Sequence, residues 1–279
     1  MQSGPALPLS ASAASQLRLQ LARQLTASCP PALGAAIALT GSSAHGLADD
    51  SSDAEINHWV EHIPPVEARV TYLTEAGVTD LAAEAAPRSD GSEWFQGYRG
   101  EIPVEVGWQT FGGLEQSMRP LLTGETSERG ALRLGELLTS AVILRGDGRL
   151  LRWRERLIRF PDPLRDRLIT ELRAPLTVET AWAAVERLAR RDERLTVAGS
   201  LALSLKTAVR LCFAINRRWE AGDKWLLALA ADLPVMPPNW RARLDDSLSA
   251  PPVQAVQLAR AWCDDALALI GGHYARLTE

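Results

Sequence analysis

Lysine is almost missing from this chain. Of 30 basic residues only Lys206 and Lys224 are lysines, and arginine supplies the other 28, a bias that GC-rich coding explains without invoking function. Cysteine is scarce as well. Cys29, Cys212 and Cys263 are scattered and odd in number with no CxxC spacing, which excludes a disulfide framework and a zinc knuckle and fits a reducing compartment. Positive charge is not in excess: 34 acidic residues leave a net charge of −4 and a pI near 5.7. No global basic field draws the chain to nucleic acid, although a local basic groove remains open. No uninterrupted apolar run reaches roughly 18 residues, which rules out a membrane span, so no membrane partner is expected. The first 29 residues carry no cation before Arg18 and no apolar h-region, which argues against a secretory signal. The expectation is a soluble, cytoplasmic, bacterial protein. Three common signatures are also missing: GxxxxGK[ST] after a strand, GxGxxG in strand–helix context, and the GxSxG nucleophile elbow.

What is present is ordinary globular composition, 46% hydrophobic and 23% charged over 279 residues, enough for one large or two modest domains. Residues 1–10 are small, polar and Pro-interrupted, and read as loose. Apolar residues at helical spacing predict a helix over 12–28, stopped by Pro30 and Pro31. The run 34–40 predicts a buried strand and a second strand starts near Asp53. A helix follows over about 66–77, then a loop over roughly 82–92, then a hairpin of 94–98 and 102–109. After Phe111 the pattern turns helical, with candidate helices near 112–122, 128–138, 148–158, 162–173, 177–192, 195–219, 222–232 and 252–270. Strands before Phe111 and helices after it predict an α+β class: a short mixed sheet with helices over 1–150, then an all-α domain over 151–279.

The segment from Gly41 to Glu55, GSSAHGLADDSSDAE, carries the chemistry. A strand ending in Gly41-Ser42 lets a phosphate approach the backbone, with free N–H groups and the Ser42 hydroxyl, next to Ser43, as donors. Asp53 and Glu55, two residues apart on a strand, place both carboxylates on one face. Two carboxylates so close repel unless a cation bridges them, and a hard divalent ion is the natural partner. His45 within the turn reads as a surface histidine. His58 and His62 are four apart, but Trp59 stands where a zinc protease needs its Glu, so the pair reads as structural.

Gly41-Ser42, the spacer and Asp53-Ala54-Glu55 resemble the motif of the polymerase-beta-like nucleotidyltransferase superfamily. Pro64-Pro65, Pro161-Asp162, Phe213 to Asn216 and Lys224-Trp225 extend the likeness toward a bacterial branch with a helical C-terminal domain. The architecture is similar to that of aminoglycoside and lincosamide nucleotidyltransferases. The resemblance implies an N-terminal nucleotidyltransferase domain that moves a nucleoside monophosphate from an NTP, ATP by default, to an acceptor hydroxyl, releasing pyrophosphate. It implies Mg2+, with Mn2+ as an alternative, held by Asp53 and Glu55. It also implies a third carboxylate on a neighbouring strand. In the segment 102–108 the residues Ile102, Val104, Val106 and Trp108 alternate onto an apolar face, which leaves Glu105 on the other. Glu105 is therefore the candidate for metal ligand or for base, with Glu101, at the turn end, as the competitor.

Along the helix predicted over 195–219, Lys206, Arg210 and Arg217 form a basic stripe with Asn216 beside it, opposite an apolar stripe of Leu201, Leu205, Ala208, Cys212 and Ile215. A solvated charged face is one reading. The other is that Lys206, Asn216 or Lys224 contacts the nucleotide's triphosphate, where a cation would stabilise the departing pyrophosphate. Six of the nine tryptophans follow residue 150; most read as core anchors, one as a surface for a base or sugar. The acidic pI favours a small hydroxylated acceptor, such as an antibiotic or a biosynthetic intermediate, over nucleic acid. The alternatives are a protein or tRNA acceptor of the toxin–antitoxin kind, and a catalytically degenerate nucleotide-binding regulator.

Overall fold

The computed structural model describes residues 7–276, the last five of them as helical backbone only. Of the stretch expected to be loose, residues 1–6 lie outside the described residues, and the next few form a turn closed by the Ala11 N–H on the Pro8 carbonyl at 2.9 Å. The chain divides into two compact units, Met1–Leu122 with Arg133–Arg159, and Thr123–Leu132 with Phe160–Glu279.

The first unit is built on a six-stranded mixed sheet: β1 (Ala36–Thr40), β2 (Ala54–Val60), β3 (Thr79–Ala83), β4 (Glu93–Arg99), β5 (Ile102–Thr110) and β6 (Val142–Arg145), in the order β3-β4-β5-β2-β1-β6. Only β2 and β5 pair in parallel. Ile37 and Leu39, Ala54, Ile56 and Val60, and Val104, Val106 and Trp108 form one apolar face. Leu21 and Leu25 of α1 (Ala13–Ser28) and Tyr72 and Leu73 of α3 (Val66–Glu75) pack against it. A fully buried Leu or Ile side chain is worth about 1.5–3 kcal/mol. A one-residue slip of β5 would move all of its core residues to the wrong side, so the register is strongly specified and the even-odd pattern holds Glu105 on the opposite face. The remaining helices of this unit are α2 (Gly41–Ala44), α4 (Phe111–Thr123), α5 (Arg129–Ser140), whose first turn belongs to the second unit, and α6 (Gly148–Ile158). The position 150, read from sequence as the domain limit, falls inside α6.

The second unit is helical: α7 (Asp162–Leu176), α8 (Glu179–Arg190), α9 (Arg194–Ile215), α10 (Leu226–Ala230), α11 (Trp240–Ser249) and α12 (Pro252–Arg276). The class is thus α+β. Helix α9 has the length and apolarity to cross a membrane, a property that a buried core helix shares. Its Val197, Leu201, Leu205, Val209 and Leu211 are buried, and it packs against α7 and α12.

Two strands were missed. β6 lies beyond Phe111, where only helices were expected; four residues are too short for a period to show. β3 runs into the predicted loop because nearly all its side chains are exposed, so it has no alternation to read. α9 stops at Ile215 rather than 219, where Arg217 turns into the left-handed region at φ +54°.

Candidate functional site

Across the face of the sheet opposite the apolar core runs one polar row. Glu55 of β2 is in register with Glu105 of β5, Thr40 of β1 pairs with Glu55, and Gln96 of β4 pairs with Glu105. Thr40 Oγ1 donates to Glu55 Oε1 at 2.9 Å and accepts from Asn57 Nδ2 at 2.8 Å. Gln96 Nε2 donates to Glu105 Oε1 at 3.1 Å. Asp53 sits immediately before β2 and its charge is felt at both glutamates. Burial raises the Glu55 carboxyl above the ordinary range and Asp53 adds to this, against the Thr40 hydrogen bond. Burial also raises Glu105, with Asp53 and Glu55 adding. The three predicted carboxylates therefore share one field. Glu101 is exposed in the β4–β5 turn.

The turn after β1 is shaped by Gly41. Its φ of +64° is left-handed, which favours glycine, and a Cβ there would lie 2.9 Å from Glu55 Oε2 and push that carboxylate aside. Ser42 Oγ, predicted as a donor, is buried and has no hydrogen-bond partner among the described residues. Ser43 is used internally, its Oγ donating to the Asp53 carbonyl at 3.3 Å. Asp49 Oδ1 accepts from the backbone and hydroxyl of Ser51 and from the hydroxyl of Ser52, which holds its carboxyl below the usual range. Arg18 of α1 is buried beneath this loop and donates to the carbonyls of Ser52 and Asp50. An arginine inside an apolar helical stripe gives no local sign of that role.

Two more cations approach the cluster. Arg88 pairs with Glu84, stacks 4.0 Å over the Trp94 ring and acts electrostatically on Glu105. Trp94 lies against Gly107, where a Cβ would be 2.6 Å from the indole. Arg133 of α5 acts on Glu55. His45, expected at the surface, is instead largely covered, with Nε2 2.6 Å from Glu136 Oε1 of α5; a partner so distant in sequence could not be read from the turn. Neither arginine stands out among 28. His58 is buried and stacked on Trp108, with ring centroids 4.6 Å apart, while His62 is exposed, so the two form no joint site.

The remaining predicted ligands lie in the second unit. Lys206 Nζ pairs with Asp223 at 2.9 Å, within a network that joins Arg129 and Arg210 to Glu220 and Asp223. Asn216 caps α9: its Nδ2 donates to the carbonyls of Cys212 and Val235, and its Oδ1 accepts from the Val235 N–H. Lys224 is exposed.

The family model described as a domain of unknown function, DUF4037, matches residues 131–226. No curated protein matches the chain. Among solved structures, the chain is similar to a nucleotidyltransferase-like protein from Exiguobacterium sibiricum 255-15, at 12% identity and a TM-score of 0.43, over 94% of this chain and 79% of that one.

The donor set fits a hard divalent ion. Among the described residues no three His, Cys, Asp or Glu side chains form a ready metal cage. Mg2+ seldom uses one; it is held by one or two carboxylates and completes its octahedron with water and substrate phosphate oxygens. Paired carboxylates beside an unpartnered buried hydroxyl suit that division of ligands.

Proposed function

We propose that this chain is a nucleotidyltransferase that moves a nucleoside monophosphate from an NTP, ATP by default, to a hydroxyl of a small-molecule acceptor, releasing pyrophosphate. The observation that carries the reading is the in-register Glu55–Glu105 pair, with Asp53 in the same field, beside the Gly41 turn. Asp53 and Glu55 would hold the divalent ion, with Glu105 as a further ligand or as the base. When bound, the ion supplies positive charge for the phosphate oxygens of an in-line displacement.

The chain's own groups then have distinct tasks. Gly41 lets the phosphate come close to the backbone, and Ser42 Oγ donates to it. Glu105, with its carboxyl raised, takes the proton of the acceptor hydroxyl. The acceptor oxygen bonds to the α-phosphorus as the bond from that phosphorus to the bridging oxygen breaks, and pyrophosphate leaves with the electron pair. Lys206 and Asn216 are engaged elsewhere and have no task in this scheme.

The test is Asp53→Asn, assayed with labelled NTPs against pools of small hydroxylated acceptors and tRNA. Loss of transfer and of Mg2+-dependent NTP binding is expected; full activity overturns the assignment. Transfer to tRNA with steep salt dependence replaces the small-molecule acceptor with a nucleic acid.

A further inference from the structure

Helix α5 reaches the Gly41 turn through the side chain of Glu136. Glu136 Oε1 lies 2.6 Å from His45 Nε2, with 11% and 15% of the two side chains exposed. His45 closes that turn, its N–H bonding to the Gly41 carbonyl at 3.3 Å. Arg133 is three residues before Glu136 and so projects from the same face of α5. It is exposed, and its charge acts on Glu55.

The cations around this site differ in how they are engaged. Arg18 is spent on the carbonyls of Asp50 and Ser52, and Arg88 on Glu84 and the Trp94 ring. Among the described residues Arg133 makes no side-chain hydrogen bond or ion pair. An arginine keeps its charge at any working pH, and its planar fork matches phosphate oxygens two at a time. The site also needs such a cation: three carboxylates repel a polyphosphate, and each positive charge beside them lowers that barrier.

Resting on the nucleotidyl-transfer reading, we propose that Arg133 binds the polyphosphate of the donor nucleotide, and that Glu136, acting through His45, is the positioning residue that keeps α5 against the Gly41 turn. Ser42 Oγ and Arg133 then donate to the same anion from two separate elements.

The test uses the full chain and inorganic tripolyphosphate without divalent cations, followed by calorimetry. Wild type is expected to bind, Arg133→Ala to bind about tenfold more weakly, and Arg133→Lys to fall between. Asp53→Asn should bind at least as tightly as wild type, because it removes a negative charge. In a Glu136→Ala background the Arg133→Ala effect should shrink, a coupling that a purely structural role for Glu136 would not produce; thermal melts of each variant confirm folding. Equal binding by wild type and Arg133→Ala, or no binding by wild type, overturns the proposal, and an undiminished Arg133 effect in the Glu136→Ala background overturns the positioning role. The two readings fail separately: transfer retained by Asp53→Asn removes the nucleotidyltransferase assignment, while Arg133-dependent tripolyphosphate binding stands or falls by itself.

Discussion

Glu55 on β2 and Glu105 on β5 face the same side of the sheet in parallel register, one residue opposite the other, each bonded to a neutral polar neighbour on its outer flank. Like charges so placed weaken the fold that carries them. Both carboxyls are raised, so the folded chain favours their protonated forms.

That strain has a pH signature. A carboxyl raised on folding contributes stability that is fully present below its unfolded value, about 4.3 for Glu, and is lost as pH rises through the folded value. Above that unfolded value the wild type loses it progressively. Glu55→Gln keeps an acceptor for Thr40 and should melt a few degrees higher than wild type at pH 7, the scale of about 1 kcal/mol in a chain of this size. The gain should shrink toward pH 4 in melts without divalent cations.

Glu105→Gln separates base from ligand. A general base typically contributes about a hundred- to ten-thousand-fold. A rate loss of that size with NTP and metal affinity near normal assigns proton acceptance. A parallel loss of metal–NTP affinity assigns ligation, and no change removes Glu105 from the site.

Arg18→Met keeps the apolar stem but deletes the bonds to the Ser52 and Asp50 carbonyls. The expected cost is about 1.5–3 kcal/mol by denaturant unfolding, the range for hydrogen bonds to a charged group. Limited proteolysis should cut residues 47–53 faster than in wild type.

His58 is the acid-sensitive group of the core. Burial lowers its pKa from 6.5 to about 3. A depressed folded value means stability that is present above the unfolded pKa and lost as pH falls. The wild type should lose about 2 kcal/mol between pH 7 and pH 5 from this group. His58→Phe, which keeps the ring on Trp108, should remove that portion. By NMR the wild-type ring should show no titration above pH 5.

In the helical unit, Asn216→Ala should cost about 1–3 kcal/mol, because it strands the Val235 N–H and uncaps α9. Lys224→Ala should stay within about 0.5 kcal/mol. A stability loss at Lys224 matching that at Asn216 would show Lys224 to be structural.

Local sequence determined a good part of this protein. Period-two alternation in β5 set Glu105 apart from Val104 and Val106, and Gly41-Ser42 marked the turn, because a strand's faces and a left-handed glycine are fixed by covalent geometry. The α+β class followed from strand and helix periods. Side chains that act across the chain were another matter. The pairing of β2 with β5 rather than another strand, the bond from Thr40 to Glu55, the brace from Arg18, and the His45–Glu136 contact each join residues far apart in sequence. Nothing in the neighbours of Arg133 distinguishes it from the other arginines. Asn216 looked like a ligand until the Val235 backbone was seen to occupy its amide. Which polar groups are left unspent is decided only when tertiary packing has satisfied all the others: Ser42 was marked by its motif, whereas Arg133 could be singled out only in the folded chain.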